Sequence, residues 1–381
     1  MLHLRFIYCS KKLISIEPLS KSYNMLRKVF CSFESLKQIT SDPKKYPKLR
    51  EIIIQHEKLY LDLSQESLNI EIRNPMLLSI KLLGRPTLKP AAEFQDQLEM
   101  YVKREAAGSL FILHQDEVEC RTLSKRFGVC IISTQVPYQL SDVLTENFFR
   151  QLDSELPSYT KWSRGVNQGW RTILEGAPQL TMNAMILIDN YLLTNNALSG
   201  GIGKLEKGKL NLIDFLDAIL PKVLEHDFHL LLVTSNKNKP LKKNRLQGQQ
   251  TPKTLDEILN EVIIGLNRKY TIEIGIITHD DDKPFHRRAI ITNYHFGTSD
   301  RGFSCFNDLK LIGHNDIRIN CAFENIPTTY NDSPSLSMLL ELRSVKKLRD
   351  DNKRLIERET DANNLAYLHC GNCENRLLSL I

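Results

Sequence analysis

Three apolar stretches decide the fold, AMILIDNYLL at 184–193, FHLLLVTS at 228–235 and TIEIGIIT at 271–278. Each has the length and apolar content of a strand buried on both faces. Between them, residues 211–224 and 255–266 repeat apolar side chains at helical spacing. Strands that alternate with helices of this length predict a parallel sheet covered by helices.

The chain around this unit supplies further predicted elements. Thr254 and Glu257 form a capping box at the start of the second helix, and Pro221 bends or ends the first. RRAIITNY at 287–294 and GFSCF at 302–306 are predicted as additional strands. The glycine-rich stretch 199–209 is interpreted as a flexible connection.

The first half shows weaker patterns. NIEI at 69–72 alternates like a short strand, and PMLLSIKLLG at 75–84 is typical of a helix that stops at Gly84. From Phe94 onward apolar residues recur at helical spacing. SLFIL at 109–113 and GVCIIST at 128–134 then predict two buried strands separated by a helix.

The predicted fold class is α/β, with a mainly parallel, helix-covered sheet in the second half, a mixed α/β N-terminal region and a C-terminal helix. The 381 residues suit two domains, or one large domain with an added helical part. The predicted division is a mixed region at 1–90, an α/β region with a long loop at 91–180, an α/β domain at 181–330 and a charged C-terminal helix at 331–381. Asn352 interrupts the apolar seam of that helix, which either packs back on the domain or pairs with a partner helix.

Composition predicts a cytoplasmic protein. No run reaches the roughly 18 apolar residues of a membrane helix, and the start has no secretory pattern. An alternative to translation from Met1 is that translation begins at Met25. The eight cysteines are scattered, which fits a reducing compartment. LHCGNCENR contains one CxxC but lacks a fourth ligand, so it is interpreted as a frayed tail and neither a metal nor a cofactor is predicted.

The positive charge is concentrated in one segment. The whole chain has a net charge of +6, and residues 235–253 contain six cations and no acid. Such a segment is typical of a surface that binds phosphate-rich partners. The predicted nucleic-acid-binding residues are Lys237, Lys239, Lys242, Lys243, Arg245 and Lys253.

Three other features are assigned to structure. Residues 199–209 lack the first glycine and the hydroxyl residue of a phosphate-binding loop. Asp280, Asp281 and Asp282 follow a predicted strand and are interpreted as a solvated turn, with a divalent cation as the alternative. Trp162 and Trp170 are interpreted as anchors of a long loop, with base stacking as the alternative.

The most specific motif lies in KPFHRRAIITNYHFGTSDRGFSCF at 283–306. His286, Arg288 and Asn293 have the order His-x-Arg-x4-Asn along a predicted strand. This resembles the phospholipase D-like superfamily, whose active strand reads His-x-Lys-x4-Asp, and in particular its degenerate one-motif members. The resemblance spans about 183–306 and implies an α/β sandwich. It also implies a nucleophilic histidine, a phosphate-binding residue at Arg288 and a tuning residue at Asn293.

Two of the three motif positions are substituted. Arg288 suits phosphate through its planar fork, whereas the neutral Asn293 cannot stabilise an imidazolium as a carboxylate does. A catalytic pair of histidines would require a homodimer. His286, Arg288 and Asn293 are therefore candidate catalytic residues, with non-catalytic phosphate binding or plain strand-start residues as the competing interpretations.

The predicted function is recognition of a phosphate-rich partner, most plausibly nucleic acid, through a degenerate phospholipase D-like domain. One alternative is a metal-independent homodimeric phosphodiesterase or nuclease, for instance in prokaryotic defence or mobile-element biology. Another is an assembly or adaptor protein that uses a protein partner at 334–367. Phosphoinositide headgroups present the same phosphate chemistry.

Overall fold

The computed structural model describes residues 28–42, 44–55, 58–84, 87–105, 107–136, 148–152, 169–170, 180–193, 203–235, 255–279, 288–300, 302–303, 306–307, 310–311, 315–322, 334–358 and 368–381. These residues build two α/β units, each organised around one main sheet.

In the first unit, one or two helices lie between each strand and the next. Its elements are β1 (Lys28–Cys31), α1 (Phe33–Ser41), α2 (Pro47–Gln55), β2 (Lys58–Leu61), α3 (Gln65–Glu71), α4 (Pro75–Gly84), β3 (Thr87–Pro90), α5 (Phe94–Glu105), β4 (Ser109–Leu113), α6 (Glu117–Phe127) and β5 (Cys130–Ser133). All pairings in its sheet are parallel, in the order β3-β2-β1-β4-β5.

This strand order requires helices on both faces. The chain leaves β1 in one direction and returns through α5 to the other side, which makes β1 and β4 the topological switch point. One core lies beneath α1 to α4 and includes Leu36 and Leu49, and the opposite core includes Phe94 and Phe127. The first unit is therefore a doubly wound sheet.

Local sequence fixes the ends of several of these helices. The hydroxyl of Ser32 accepts a hydrogen bond from the backbone N–H of Ser35, and Asp116 caps α6 in the same way. Gly128 ends α6 with a left-handed φ of 62°. A Cβ there would lie 2.3 Å from the carbonyl oxygen of Met182, so the close approach of the two units also requires glycine.

The second unit takes strands from a wider span of the chain. Its elements are β6 (Phe148–Leu152), β7 (Ala184–Ile188), α7 (Gly203–Ile219), β8 (Phe228–Ser235), α8 (Leu255–Leu266), β9 (Ile272–His279), β10 (Arg288–Thr292), β11 (His295–Ser299), β12 (Phe306–Asn307), β13 (Lys310–Leu311), β14 (Asn315–Cys321), α9 (Pro334–Arg358), β15 (His369–Gly371) and a 3-10 helix (Arg376–Leu380).

The main sheet of the second unit has eight strands in the order β15-β9-β8-β7-β10-β11-β14-β6. β7, β8 and β9 are parallel, as the three apolar stretches predict. The other strands are antiparallel to their neighbours. β12 and β13 pair separately. The α/β class and the parallel centre are thus confirmed, while the sheet as a whole is mixed.

Helices cover both faces of this sheet. α7 and α8 pack on one face with Phe215 and Val262 in the core. α9 packs on the other face, where Met338, Leu342 and Val345 contact the strands. The apolar seam of α9 is therefore occupied by its own domain.

The last residues also belong to this unit. β15 pairs with β9, and the Asn375 amide donates to the carbonyl oxygens of Met185 and His229 at 3.0 and 3.1 Å. Cys370, Cys373 and Leu377 are buried. The interpretation of LHCGNCENR as a frayed tail is wrong, because this segment completes the sheet edge.

The two units meet at the amino edges of their sheets. Tyr294, in the turn between β10 and β11, donates its hydroxyl hydrogen to the carbonyl oxygen of Ser109 at 2.6 Å and accepts from the N–H of Cys130 at 2.9 Å. An Arg126–Glu225 ion pair bridges the surface of the junction. Because Ser109 and Cys130 begin their strands, the carboxyl edges of both parallel regions face away from the junction.

Several predicted elements require correction. The predicted strand at 69–72 lies in and just after α3, whose start is capped by the Ser64 hydroxyl. Residues from Gly203 onward belong to α7, so only 199–202 of the predicted connection precede that helix. Of the predicted strand at 302–306, Gly302 and Phe303 lie outside any strand, since the φ of 97° at Gly302 is incompatible with an extended strand, whereas Phe306 begins β12.

The predicted domain boundaries also differ from the sheets. The boundary at 90/91 falls between β3 and α5, so residues on both sides of it share the first sheet. β6 and α9 lie outside the predicted 181–330 domain but pack in or on the second sheet. Thr254 of the capping box lies outside the described residues. Among the described residues, no helix combines the length and apolar character needed to cross a membrane.

Candidate functional site

Polar side chains gather at the carboxyl edge of β7, β8 and β9. Asp189 follows β7 directly, Thr234 and Ser235 end β8, and His279 ends β9. The register pairs Ser235 with His279, and Ile188 with both Val233 and Ala289. One step beyond Ile188, Arg288 therefore lies beside Asp189, at the edge where open α/β sheets collect ligand-binding groups.

Arg288 is held but not enclosed. Its Nη1 donates to the carbonyl oxygen of Asp300, and its Nε lies 3.9 Å from Asp189 Oδ1. The guanidinium carbon stands 5.6 Å from the centre of the Tyr191 ring, within the range of a cation–π contact. The side chain is 25% exposed. A guanidinium that is held by these contacts on a partly exposed side chain is suited to bind an anion.

Asp189 organises the turn around Arg288. Its carboxylate is fully buried and accepts from the N–H of Tyr191 at 2.9 Å and from the N–H of Phe303 at 2.7 Å. Burial raises the pKa of Asp189, whereas these two hydrogen bonds and the charge of Arg288 oppose the rise. The carboxylate thus joins three separate segments at one point.

Gly302 makes this arrangement sterically feasible. A Cβ at this position would lie 2.4 Å from Asp189 Oδ2 and 3.1 Å from the Cδ of Arg288. Its φ of 97° is also one that residues with a side chain rarely adopt. Glycine at 302 therefore permits the close approach of the Phe303 segment to Asp189.

The opposite face of the edge carries a second polar pair. Nε2 of His279 lies 2.9 Å from Oδ1 of Asn190, and the Thr234 hydroxyl donates to the carbonyl oxygen of Asn190 at 3.3 Å. His279 is buried. These contacts fix the ends of β8 and β9 to the turn after β7.

Most of the predicted site residues lie outside the described residues. These are His286 and the six cations Lys237, Lys239, Lys242, Lys243, Arg245 and Lys253. The ends of the basic segment are described, since Ser235 closes β8 and Leu255 begins α8. The basic segment therefore begins at the same sheet edge that carries Arg288.

Asn293 occupies a different place from Arg288. It follows the far end of β10, which puts the two residues about 17 Å apart at the rise of a strand. Its buried amide oxygen accepts from the N–H groups of Asn183 and Ala184 at 2.9 and 3.0 Å, and its nitrogen donates to Asn183 Oδ1. The structure does not bring Asn293 to Arg288, and its contacts are those of a residue that positions β7.

The remaining candidate site residues either have structural roles or lie outside the described residues. Trp170 is buried against Phe215, and its indole N–H donates to the carbonyl oxygen of Phe303 at 3.2 Å. It is an anchor, as predicted. Trp162 and Asp280 to Asp282 lie outside the described residues.

The cysteines that the structure describes show no reactive site. Among the described residues, no group of three or more His, Cys, Asp or Glu side chains is placed to hold a metal ion. Burial raises the pKa of Cys373 to about 12 and that of Cys370 still further above its ordinary value. Both thiols are therefore protonated at neutral pH and behave as small apolar groups.

The switch point of the first sheet is filled by its own side chains. The Ser35 hydroxyl lies 3.1 Å from Oγ1 of Thr134, and the Tyr46 hydroxyl donates to the carbonyl oxygen of Thr134 at 2.7 Å. All three residues are fully buried. The second sheet therefore offers the more accessible carboxyl edge.

Sequence reasoning located Arg288 but missed Asp189, Tyr191 and His279. A usable signal was present for Asp189, since it is the first charged residue after an apolar strand and such positions form the carboxyl edge. The pairing of Tyr191 with Arg288 left no signal, because it depends on a turn that only the fold defines.

Comparisons with known proteins assign no family. No protein-family model matches the sequence, and no curated protein is significantly similar to it.

Proposed function

We propose that the protein binds a phosphate-rich partner, with nucleic acid as the favoured ligand, at the carboxyl edge of the second sheet. In this proposal the second unit is a degenerate phospholipase D-like domain. The observation that carries the proposal is the position of Arg288, whose partly exposed side chain lies at the same sheet edge as Ser235, the end of β8 from which the basic segment begins.

The charge distribution favours a polyanion over a single anion. Arg288 supplies one fixed cation, and residues 235–253 add six cations without an acid. Neutralising several phosphates together releases counterions, which is the main source of affinity for nucleic acids. A single small anion would use only part of this charge.

Binding is favoured over catalysis by the surroundings of Arg288. The carboxylate beside it is Asp189, which is buried and committed to two backbone N–H groups. Asn293 is committed to Asn183 at the other end of β10. Neither side chain is free to tune a histidine as the phospholipase D-like mechanism requires. The homodimeric nuclease and the adaptor role are left as outcomes of the tests.

The deciding experiment is a salt titration of binding to single-stranded and duplex DNA. We expect Arg288→Ala to weaken binding about tenfold, the loss typical of a charged hydrogen bond. Replacing Lys237, Lys239, Lys242 and Lys243 by glutamine should lower the slope of log K against log salt by roughly 0.7 for each cation that contacts a single strand. Arg121→Ala is the matched control, because Arg121 is an exposed arginine on α6.

Four results would count against the proposal. A binding constant that does not depend on salt, or equal losses for Arg288→Ala and Arg121→Ala, would exclude the site. Cleavage of DNA or RNA in EDTA that disappears in His286→Ala would replace binding by catalysis. Flotation with phosphoinositide vesicles in the absence of nucleic-acid binding would assign the site to lipid headgroups.

A further inference from the structure

The turn after β7 presents an aromatic ring beside the anion-binding arginine. Tyr191 lies at the tip of this turn, partly exposed, with the Arg288 guanidinium 5.6 Å from its ring centre. A planar cation and a π-face held together are the two groups with which proteins bind an unpaired nucleotide.

The turn is rigid enough to hold this pair in place. The N–H of Tyr191 donates to Asp189 Oδ1, and the N–H of Leu192 donates to the carbonyl oxygen of Asp189 at 3.2 Å. Leu192 and Leu193 are both buried, so the residues after the tip are anchored in the core. A ligand would therefore meet a preformed surface, which lowers the entropic cost of binding.

The guanidinium also retains hydrogen-bond donors. Nη1 faces Asp300 and Nε faces Asp189, while Nη2 has no partner among the residues that the structure describes. Nη2 is thus available to a phosphate oxygen on the open side. The cation–π contact to Tyr191 and the hydrogen bond to Asp300 hold the guanidinium in place before a ligand arrives.

We propose that this edge selects single-stranded over duplex nucleic acid, with Arg288 contacting a phosphate while one unpaired base stacks on the Tyr191–Arg288 pair. The proposal rests on the proposed function and adds the substrate class. In a duplex the faces of the bases are covered by their neighbours, and exposing one requires flipping it out of the helix. Tyr191 can therefore contribute only where a base is already free.

The test compares three probes of equal length: oligothymidylate, a strand with the same phosphates but abasic sugars, and a duplex. Tyr191→Ala should weaken binding of oligothymidylate about tenfold, the loss typical of one stacked base, and leave the other two probes within about twofold. Tyr191→Phe keeps the ring and should bind all probes like the unchanged protein. Arg288→Ala should weaken all three, since all carry phosphates.

The outcomes separate the two proposals. If Tyr191→Ala binds oligothymidylate normally while Arg288→Ala weakens every probe, the stacking proposal is overturned and phosphate binding stands. Equal losses on the thymidylate and abasic strands would also overturn it, because the ring would then act only by supporting Arg288. If neither variant changes binding, the proposed function fails as well. Unchanged thermal melting of each variant shows that the fold is retained.

Discussion

At the scale of single residues, His295 makes stability depend on pH. Its imidazole is buried, Nδ1 lies 3.4 Å from the Thr292 hydroxyl, and Nε2 has no partner among the described residues. Burial lowers the pKa of His295 to about 4. The unfolded chain takes up this proton at about pH 6.5. The contribution of the neutral His295 to the free energy of unfolding is therefore fully present above about pH 6.5 and is lost as the pH falls toward 4.

We expect a loss of about 3 kcal/mol across this window, from the difference of about 2.5 pKa units. Urea denaturation at several pH values measures it. Glutamine does not titrate, so His295→Gln should make the free energy of unfolding depend less on pH. The control is the same substitution at the exposed His114, which should leave the pH dependence as it is. A His295→Gln profile as steep as that of the unchanged protein would contradict this expectation.

The role of a single residue could be predicted from the sequence only where the residue belongs to a motif or directly follows a predicted strand. The His-x-Arg spacing singled out Arg288, which the structure places at an accessible edge. The same motif misplaced Asn293, because its amide bonds the backbone of Asn183 and Ala184, more than a hundred residues away. Contacts between such distant positions leave no local pattern.

At the scale of elements, α9 is stabilised by a polar residue in its apolar seam. The Asn352 amide is buried and donates to the carbonyl oxygens of Thr278 and Leu368, both at 3.0 Å. It thereby ties the helix to β9 and to the segment before β15. This explains why an asparagine stands where the helical pattern alone asks for an apolar residue.

We therefore expect Asn352→Leu to destabilise the protein by about 1–3 kcal/mol, since the carbonyl oxygens of Thr278 and Leu368 each lose the hydrogen bond from the Asn352 amide. Leu355→Ala, on the exposed side of α9, should change stability by no more than about 0.5 kcal/mol. Denaturant titration compares the two variants. A more stable Asn352→Leu variant would mean that an apolar residue is preferred at this position, as in a coiled-coil helix. That result would support the adaptor hypothesis.

Elements with a strong period were predicted well. The parallel strands β7, β8 and β9, the helices α4, α5 and α8, and the strands β4 and β5 match their sequence patterns. The first three strands of the first sheet were missed, because each is only four residues long and β3 has little apolar alternation. Short strands are defined by their neighbours more than by their own residues.

At the scale of the whole molecule, Tyr294 joins the two units. Its fully buried hydroxyl bonds two strand starts of the first sheet, and its ring belongs to the first core. Tyr294→Phe should lower the free energy of unfolding by about 1–3 kcal/mol, because the N–H of Cys130 and the carbonyl oxygen of Ser109 lose their hydrogen bonds to the Tyr294 hydroxyl. Tyr60→Phe, on a partly buried ring of the same sheet, is the matched control.

Calorimetry also tests the coupling of the units. We expect one unfolding transition for the unchanged protein, and a shift of that single transition in Tyr294→Phe. Two separate transitions in the unchanged protein would show that the junction contributes little to cooperativity.

The order of strands was beyond the reach of the sequence. Alternation of strands and helices predicts a parallel sheet, and this holds for β7 to β9. It does not predict that β6 joins β14 or that β15 returns to β9, since these pairings connect segments separated by 160 and 90 residues or more. Such pairings depend on the three-dimensional arrangement of edges that remain open.

The insertion of Tyr294 has a consequence for the history of the gene. A side chain encoded in the second half fills a position between strands encoded in the first half. If either half were duplicated, exchanged or fused to another protein, the first half would lack the side chain that bonds Ser109 and Cys130, or the second half would expose Tyr294 to solvent. A recombinant that takes its two halves from different proteins is therefore expected to be less stable unless both halves preserve this contact.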